Sequence, residues 1–132
     1  MQSEDPLIYV VEPNELLRGE VIKVLNEGVS VGLDVRGFVG PDDAYSALQV
    51  EVPDLAMVRW SSQGGIDGLQ LIEEVKTFCR DTEIVAIADR WERDRINKDN
   101  CRYLFTVYYH PGPCRGVYDI ATMANAALRV EV

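Results

Sequence analysis

Short apolar runs alternate along this chain with stretches whose apolar residues recur every three or four positions, and that alternation restricts the available folds more than any other feature. Leu7-Ile8-Tyr9-Val10-Val11 has no polar interruption and reads as a strand buried on both faces. The stretch after it places Leu17, Val21, Val24 and Leu25 on one helical face and stops at Asn26-Glu27-Gly28. Val31, Leu33 and Val35 then alternate with Gly32, Asp34 and Arg36, the pattern of a strand with one less protected face. A short helix is expected around Ala44 to Val50, after Gly40-Pro41-Asp42-Asp43, and a third strand from Pro53 to Arg59. Next comes a helix with Asp67 and Gln70 as its capping box and Leu71, Ile72, Val75, Phe78 and Cys79 as its apolar stripe. Glu83 to Ala88 and Tyr103 to Tyr109 read as the fourth and fifth strands, and the last helix turns Val117, Ile120, Ala121, Ala124 and Leu128 inward. Strand-helix alternation with right-handed crossovers predicts an α/β fold: a doubly wound, five-stranded parallel sheet with helices on both faces.

One segment breaks the regularity. From Arg90 to Asn100 only Trp91 and Ile96 are apolar anchors, and a helix that buries so little gains little from packing. The segment is therefore expected to be short, irregular or mobile. Its Arg90, Arg93, Arg95 and Lys98 are interleaved with Glu92, Asp94 and Asp99, the pattern of a solvated face.

Length and charge limit the function classes. With 132 residues, 47% of them hydrophobic, the chain has the size and the core of one domain over residues 1–132. Thirteen Lys and Arg against twenty-two Asp and Glu give a net charge of −9, which disfavours nucleic acid and anionic membrane surfaces as partners. Cys79, Cys101 and Cys114 are odd in number and lack metal-ligand spacing, so reduced thiols in a cytoplasm are expected rather than disulfides or zinc. No signal peptide opens the chain and no apolar run is long enough to span a bilayer, so a cytoplasmic location without membrane contact is expected.

The most informative single residue is Arg59. It closes Pro53-Asp54-Leu55-Ala56-Met57-Val58-Arg59, at the carboxyl end of a strand, where open α/β sheets keep their ligand crevice. That run, the loop after it and Asp67-Gly68-Leu69, taken with the order and lengths of the elements from about Pro6 to Val130, resemble the receiver domains of two-component response regulators. The resemblance implies a flavodoxin-like fold. It also implies that each position of the family's chemistry has changed. Arg59 stands where the family has its phosphoacceptor aspartate, and Glu12-Pro13 where it has a pair of Mg²⁺-holding acids. Ala88, followed by Asp89, stands for the hydroxyl residue that ends the fourth strand, and His110-Pro111 for the Lys-Pro pair that ends the fifth. The aromatic switch position falls on Val107, beside Tyr108 and Tyr109.

These changes are coupled chemically. A guanidinium has no nucleophilic oxygen and stays protonated. Mg²⁺ needs several hard oxygen ligands, and Glu12 alone beside a fixed positive charge does not supply them, so no metal or other cofactor is expected. Arg59 is instead expected to cross the crevice to Glu12 and Asp89, Arg being suited to bidentate carboxylate contacts. The other course open to it is to extend into water.

The resulting expectation is a pseudo-receiver: not an enzyme, independent of phosphorylation, and acting by protein–protein contact in bacterial two-component signalling. Its partners would be a histidine kinase, a response regulator, an output domain or a second copy of the chain. The expected face comprises Trp91, Arg95, Val107, Tyr108, Tyr109 and Val117. Trp60 and Trp91 are both expected at the rim of the crevice. The alternative is a regulatory module that takes a small anion on Arg59 and the glycine-rich loop Ser61-Ser62-Gln63-Gly64-Gly65. An enzyme of the same fold finds no residue constellation: His110 is the only histidine and has no evident acid partner or nucleophile.

Overall fold

The computed structural model describes residues 5–29, 31–60, 68–78, 81–89, 92, 94–96, 106–110 and 116–128. The elements are β1 (Leu7–Val11), α1 (Glu15–Gly28), β2 (Asp34–Phe38), α2 (Pro41–Leu48), β3 (Leu55–Arg59), α3 (Gly68–Phe78), β4 (Glu83–Asp89), β5 (Thr106–His110) and α4 (Gly116–Ala127). The strands are all parallel and lie in the order β2-β1-β3-β4-β5. The expected α/β architecture, a parallel sheet with helices, is what the chain adopts.

Strand alternation divides the core in two. Ile8 and Val10, Leu55 and Met57, and Val85 and Ile87 point to one side, where they meet Leu17, Val21 and Leu25 of α1 and Ile120 and Ala124 of α4. Val11, Ala56, Val58, Ile84, Ala86 and Ala88 point to the other and meet Ala44 of α2 and Leu71, Ile72 and Val75 of α3. Strands buried on both sides are why their sequences carry unbroken apolar runs. None of the helices among the described residues is long and apolar enough to cross a membrane.

Several boundaries differ from the sequence reading, each for a local reason. β2 begins at Asp34 rather than Val31, because its partner β1 begins at Leu7, opposite Asp34, and Val31 lies exposed before that ladder starts. α2 begins at Pro41, with Gly40 as its N-cap and Asp42 and Asp43 in its first turn, and ends before the exposed Val50. Gly28 does not stop α1 by a left-handed turn: it is the last helical residue, and Val29 caps the helix in extended conformation. Its lack of a side chain serves packing instead, since a Cβ there would lie 2.5 Å from the Cβ of Ala121 in α4.

Of the segment after β4 the structure describes residues 92 and 94–96: residues 94–96 are helical and Ile96 is buried as the expected apolar anchor, whereas Glu92 is buried instead of lying on a solvated face. Ile96 belongs to the core on the α2 and α3 side, together with Trp60. Asp67, Cys79, Trp91, Cys101, Tyr103, Cys114 and the side chains of Phe78 and Val117 lie outside the described residues.

At the outer edge, Arg36 of β2 bonds Asp34 and Glu51, and these two bonds raise the Arg36 pKa above its ordinary value. Charge on an exposed edge strand discourages pairing with another chain.

Candidate functional site: a crevice closed by an ion pair

The strand order reverses at β1, which lies between β2 and β3, and the crevice of an open α/β sheet lies outside the carboxyl ends of the strands at such a point. Three charged residues meet there because of register and alternation. Val11 lies opposite Val58, so the next residues, Glu12 and Arg59, lie opposite each other. Glu12 follows Ile8 and Val10 in alternation, Arg59 follows Leu55 and Met57, and Asp89 follows Val85 and Ile87. All three therefore emerge on one side of the sheet, from adjacent strands spaced about 4.8 Å apart.

The contacts follow from that placement. Glu12 Oε1 accepts from Arg59 Nε at 2.8 Å and lies 2.7 Å from Arg59 Nη2, a forked contact on one oxygen. The other oxygen, Oε2, accepts the backbone N–H of Asn14 at 2.9 Å. Asn14 caps α1, its Oδ1 accepting from Leu17 N–H, so the Glu12 carboxylate is fixed at the start of a helix. Arg18 Nη1 donates to the Glu12 carbonyl at 2.8 Å, and Glu12 N–H donates to Phe38 across to β2. On its far side Arg59 Nη1 lies 3.5 Å from Asp89 Oδ1. The side chains of Glu12, Arg59 and Asp89 are 2%, 13% and 36% exposed. Arg59 thus turns inward instead of extending into water.

Asp89 lies one residue beyond the buried Ala88, and it is Asp89, not Ala88, that faces Arg59. Its backbone N–H donates to Glu92 Oε1 at 3.0 Å. Asp89-Arg90-Trp91-Glu92 has the spacing of a capping box, in which a Glu reaches back three residues to a backbone N–H. The alternating charges around that spacing favour a solvated face, but Glu92 is buried.

Trp60 is also placed differently from expectation. The residue is 4% exposed within the core, because Trp60 continues the alternation of Ala56 and Val58 while Arg59 takes the other side. Its backbone N–H donates to Ile87 at 2.8 Å, and the exposed Arg95 holds its guanidinium 5.1 Å from the Trp60 ring centroid, a cation–π contact.

Of the remaining expected positions, Pro13 is exposed between Glu12 and the α1 cap. His110 pairs with Asp89 at the end of β5, and Tyr108 and Tyr109 with Ile87 and Ala88; the side chains of these three lie outside the described residues. Val107 packs partly buried against the α2 and α3 side of the core. Among the described residues no three His, Cys, Asp or Glu side chains come together in a way that could hold a metal ion.

The solved structures to which this chain is similar include receiver domains. The chain is similar to the receiver domain of NtrX from Brucella abortus, at 22% identity and a TM-score of 0.80, covering 94% of this chain and 99% of that one. It is similar to the phosphorylated cyanobacterial phytochrome response regulator RcpA, at 15% identity and a TM-score of 0.80 over 98% of both chains. It is also similar to the BeF₃-activated DrrB receiver domain, at 13% identity and a TM-score of 0.79, covering 96% of this chain and 99% of that one. Against a longer NtrX chain it spans 28% of that chain's length. No protein-family model matches the chain, and no curated protein matches it. The likeness establishes the fold, which is that of receiver domains.

Proposed function

We propose that this chain is a doubly wound, five-stranded pseudo-receiver: a signalling domain that works by protein–protein contact and does not take up a phosphoryl group. The observation that carries the reading is the forked contact of Arg59 on Glu12. In a receiver-like crevice, Arg59 stands where the resemblance puts the phosphoacceptor, and its guanidinium lies between the carboxylates of β1 and β4. A cation already held there opposes Mg²⁺, and a side chain without a nucleophilic oxygen opposes transfer. Phosphoryl transfer also depends on positioned charge-neutralising groups, and Ala88 offers none.

The reading makes the domain a non-enzyme of the cytoplasm, in contact with a histidine kinase, a response regulator, an output domain or a second copy of itself. The anion-binding alternative has less support, because the Arg59 fork is committed to Glu12 and flanked by Asp89, which repels an anion. Trp60 offers the test, since it directly follows Arg59 and its indole is enclosed. A metal ion or phosphoryl mimic would have to displace the Arg59 guanidinium, and Trp60 is tied to the same strand ends by the bond from its backbone N–H to the Ile87 carbonyl. The expected result is no saturable change of tryptophan emission with millimolar Mg²⁺, with or without beryllofluoride. A saturable change that requires both would overturn the reading.

A further inference from the structure

We infer that Arg59 and Trp60 together latch the turn after β4 at residues 92 and 94–96, so that the ion pair closing the crevice also sets their position. The inference rests on the proposed function for its meaning: in a domain that does not switch by phosphorylation, an internal contact holds this part of the expected interaction face in one place. Its physical basis is separate.

Two consecutive residues reach the same turn by different routes. Arg59 extends along one side of the sheet to Asp89, whose backbone N–H is held by the buried Glu92 carboxylate. Trp60 turns to the opposite side, where Arg95 lies over its ring and Ile96 shares its core cluster. The bond from Trp60 N–H to the Ile87 carbonyl fixes both residues to β4 just before the turn. The turn is thus held at Glu92, Arg95 and Ile96.

Arg59 is the member on which the others' geometry depends. Without it, the carboxylates of Glu12 and Asp89 would face each other across the crevice with no charge between them. Repulsion would push Asp89 outward, since at 36% exposure it is the one with room to move. Its N–H would carry the Glu92 bond with it. Arg59 acts here as a positioning residue for the turn, through Asp89 and through the strand end it shares with Trp60.

Hydrogen exchange of the full chain tests this, read at the amides of residues 92 and 94–96. Arg59→Met should speed their exchange by about tenfold or more, beyond any change in α1 and α3, as local opening does. Asp89→Asn, which keeps the backbone N–H, should speed it by a smaller factor. Arg36→Met, which breaks the exposed pairs at the far edge, should leave it unchanged. If Arg59→Met does not fold, Arg59→Lys keeps the charge but loses the fork, and should show a weaker acceleration in the same place. Unchanged protection of the turn in the folded Arg59 variant, or a uniform acceleration through the whole domain, would overturn the latch. Because no phosphodonor is used, that failure would leave the proposed function standing, whereas a phosphoryl adduct would overturn the function and leave the latch intact.

Discussion

Arg59 and Glu12 have left water for each other, and whether such a pair stabilises depends on how completely their remaining hydrogen-bonding groups are met. For Glu12 they are met well: one oxygen takes the guanidinium fork and the other the Asn14 N–H. Removing Arg59 alone would leave that buried carboxylate without a counter-charge, so Arg59→Met should cost about 3–5 kcal/mol of unfolding free energy in urea titration. Removing both partners should cost less than the sum of the single losses. The cycle of Arg59→Met and Glu12→Gln is expected to show coupling of about 0.5–3 kcal/mol, and additive effects would deny the pair any energetic role. The coupling should hardly change with salt. By contrast, the coupling of Arg36 to Glu51, both about half exposed, should fall toward zero in molar salt, because exposed pairs are screened. Gly28 gives a second test at this scale. Ala is the better helix former by about 1 kcal/mol, yet Gly28→Ala should destabilise the fold by roughly 1–3 kcal/mol, since the new methyl would meet Ala121. Ala121→Gly in the same chain should recover most of that loss.

At the scale of elements, the described residues after β4 pack as the sequence suggests at Ile96 and against it at Glu92. Ile96 and Glu92 are enclosed although charged residues surround them in sequence. Ile96→Ala should cost about 2–5 kcal/mol in the same titration, while Val50→Ala, at an exposed residue after α2, should change stability by less than about 0.5 kcal/mol. Equal costs would mean that the turn is not part of the core. Strand-helix alternation was readable because burial on both sides demands unbroken apolar runs, and β1 and β3 show them plainly. The Arg59–Glu12 contact was readable too, because both residues follow apolar runs that had to pair side by side. Three things were not. Which side Trp60 would take depends on the residue-by-residue alternation past the end of β3, and proximity to Arg59 in sequence suggested the wrong one. Gly28 looks like a helix terminator, and only the closeness of α4 shows its purpose. Glu92 was hidden in a mixed run of charges, although its spacing from Asp89 is that of a helix cap.

For the whole molecule, a receiver fold and an occupied crevice have to be reconciled with a function. Similarity at 22% identity and below carries architecture and leaves chemistry to be argued from the residues. Those residues form a closed, charge-paired contact between β1, β3 and β4 at the carboxyl ends of the strands. On the proposed function, Arg59→Asp should not confer uptake of a phosphoryl group, because Pro13 lacks a carboxylate and Ala88 a hydroxyl. The most direct measurement is the intact mass of the full chain after treatment with a small-molecule phosphodonor and Mg²⁺, alongside a phosphorylatable receiver domain as positive control. The control should gain one phosphoryl group while this chain keeps its mass. A stoichiometric phosphoryl adduct on any residue lining the crevice would contradict the proposed function.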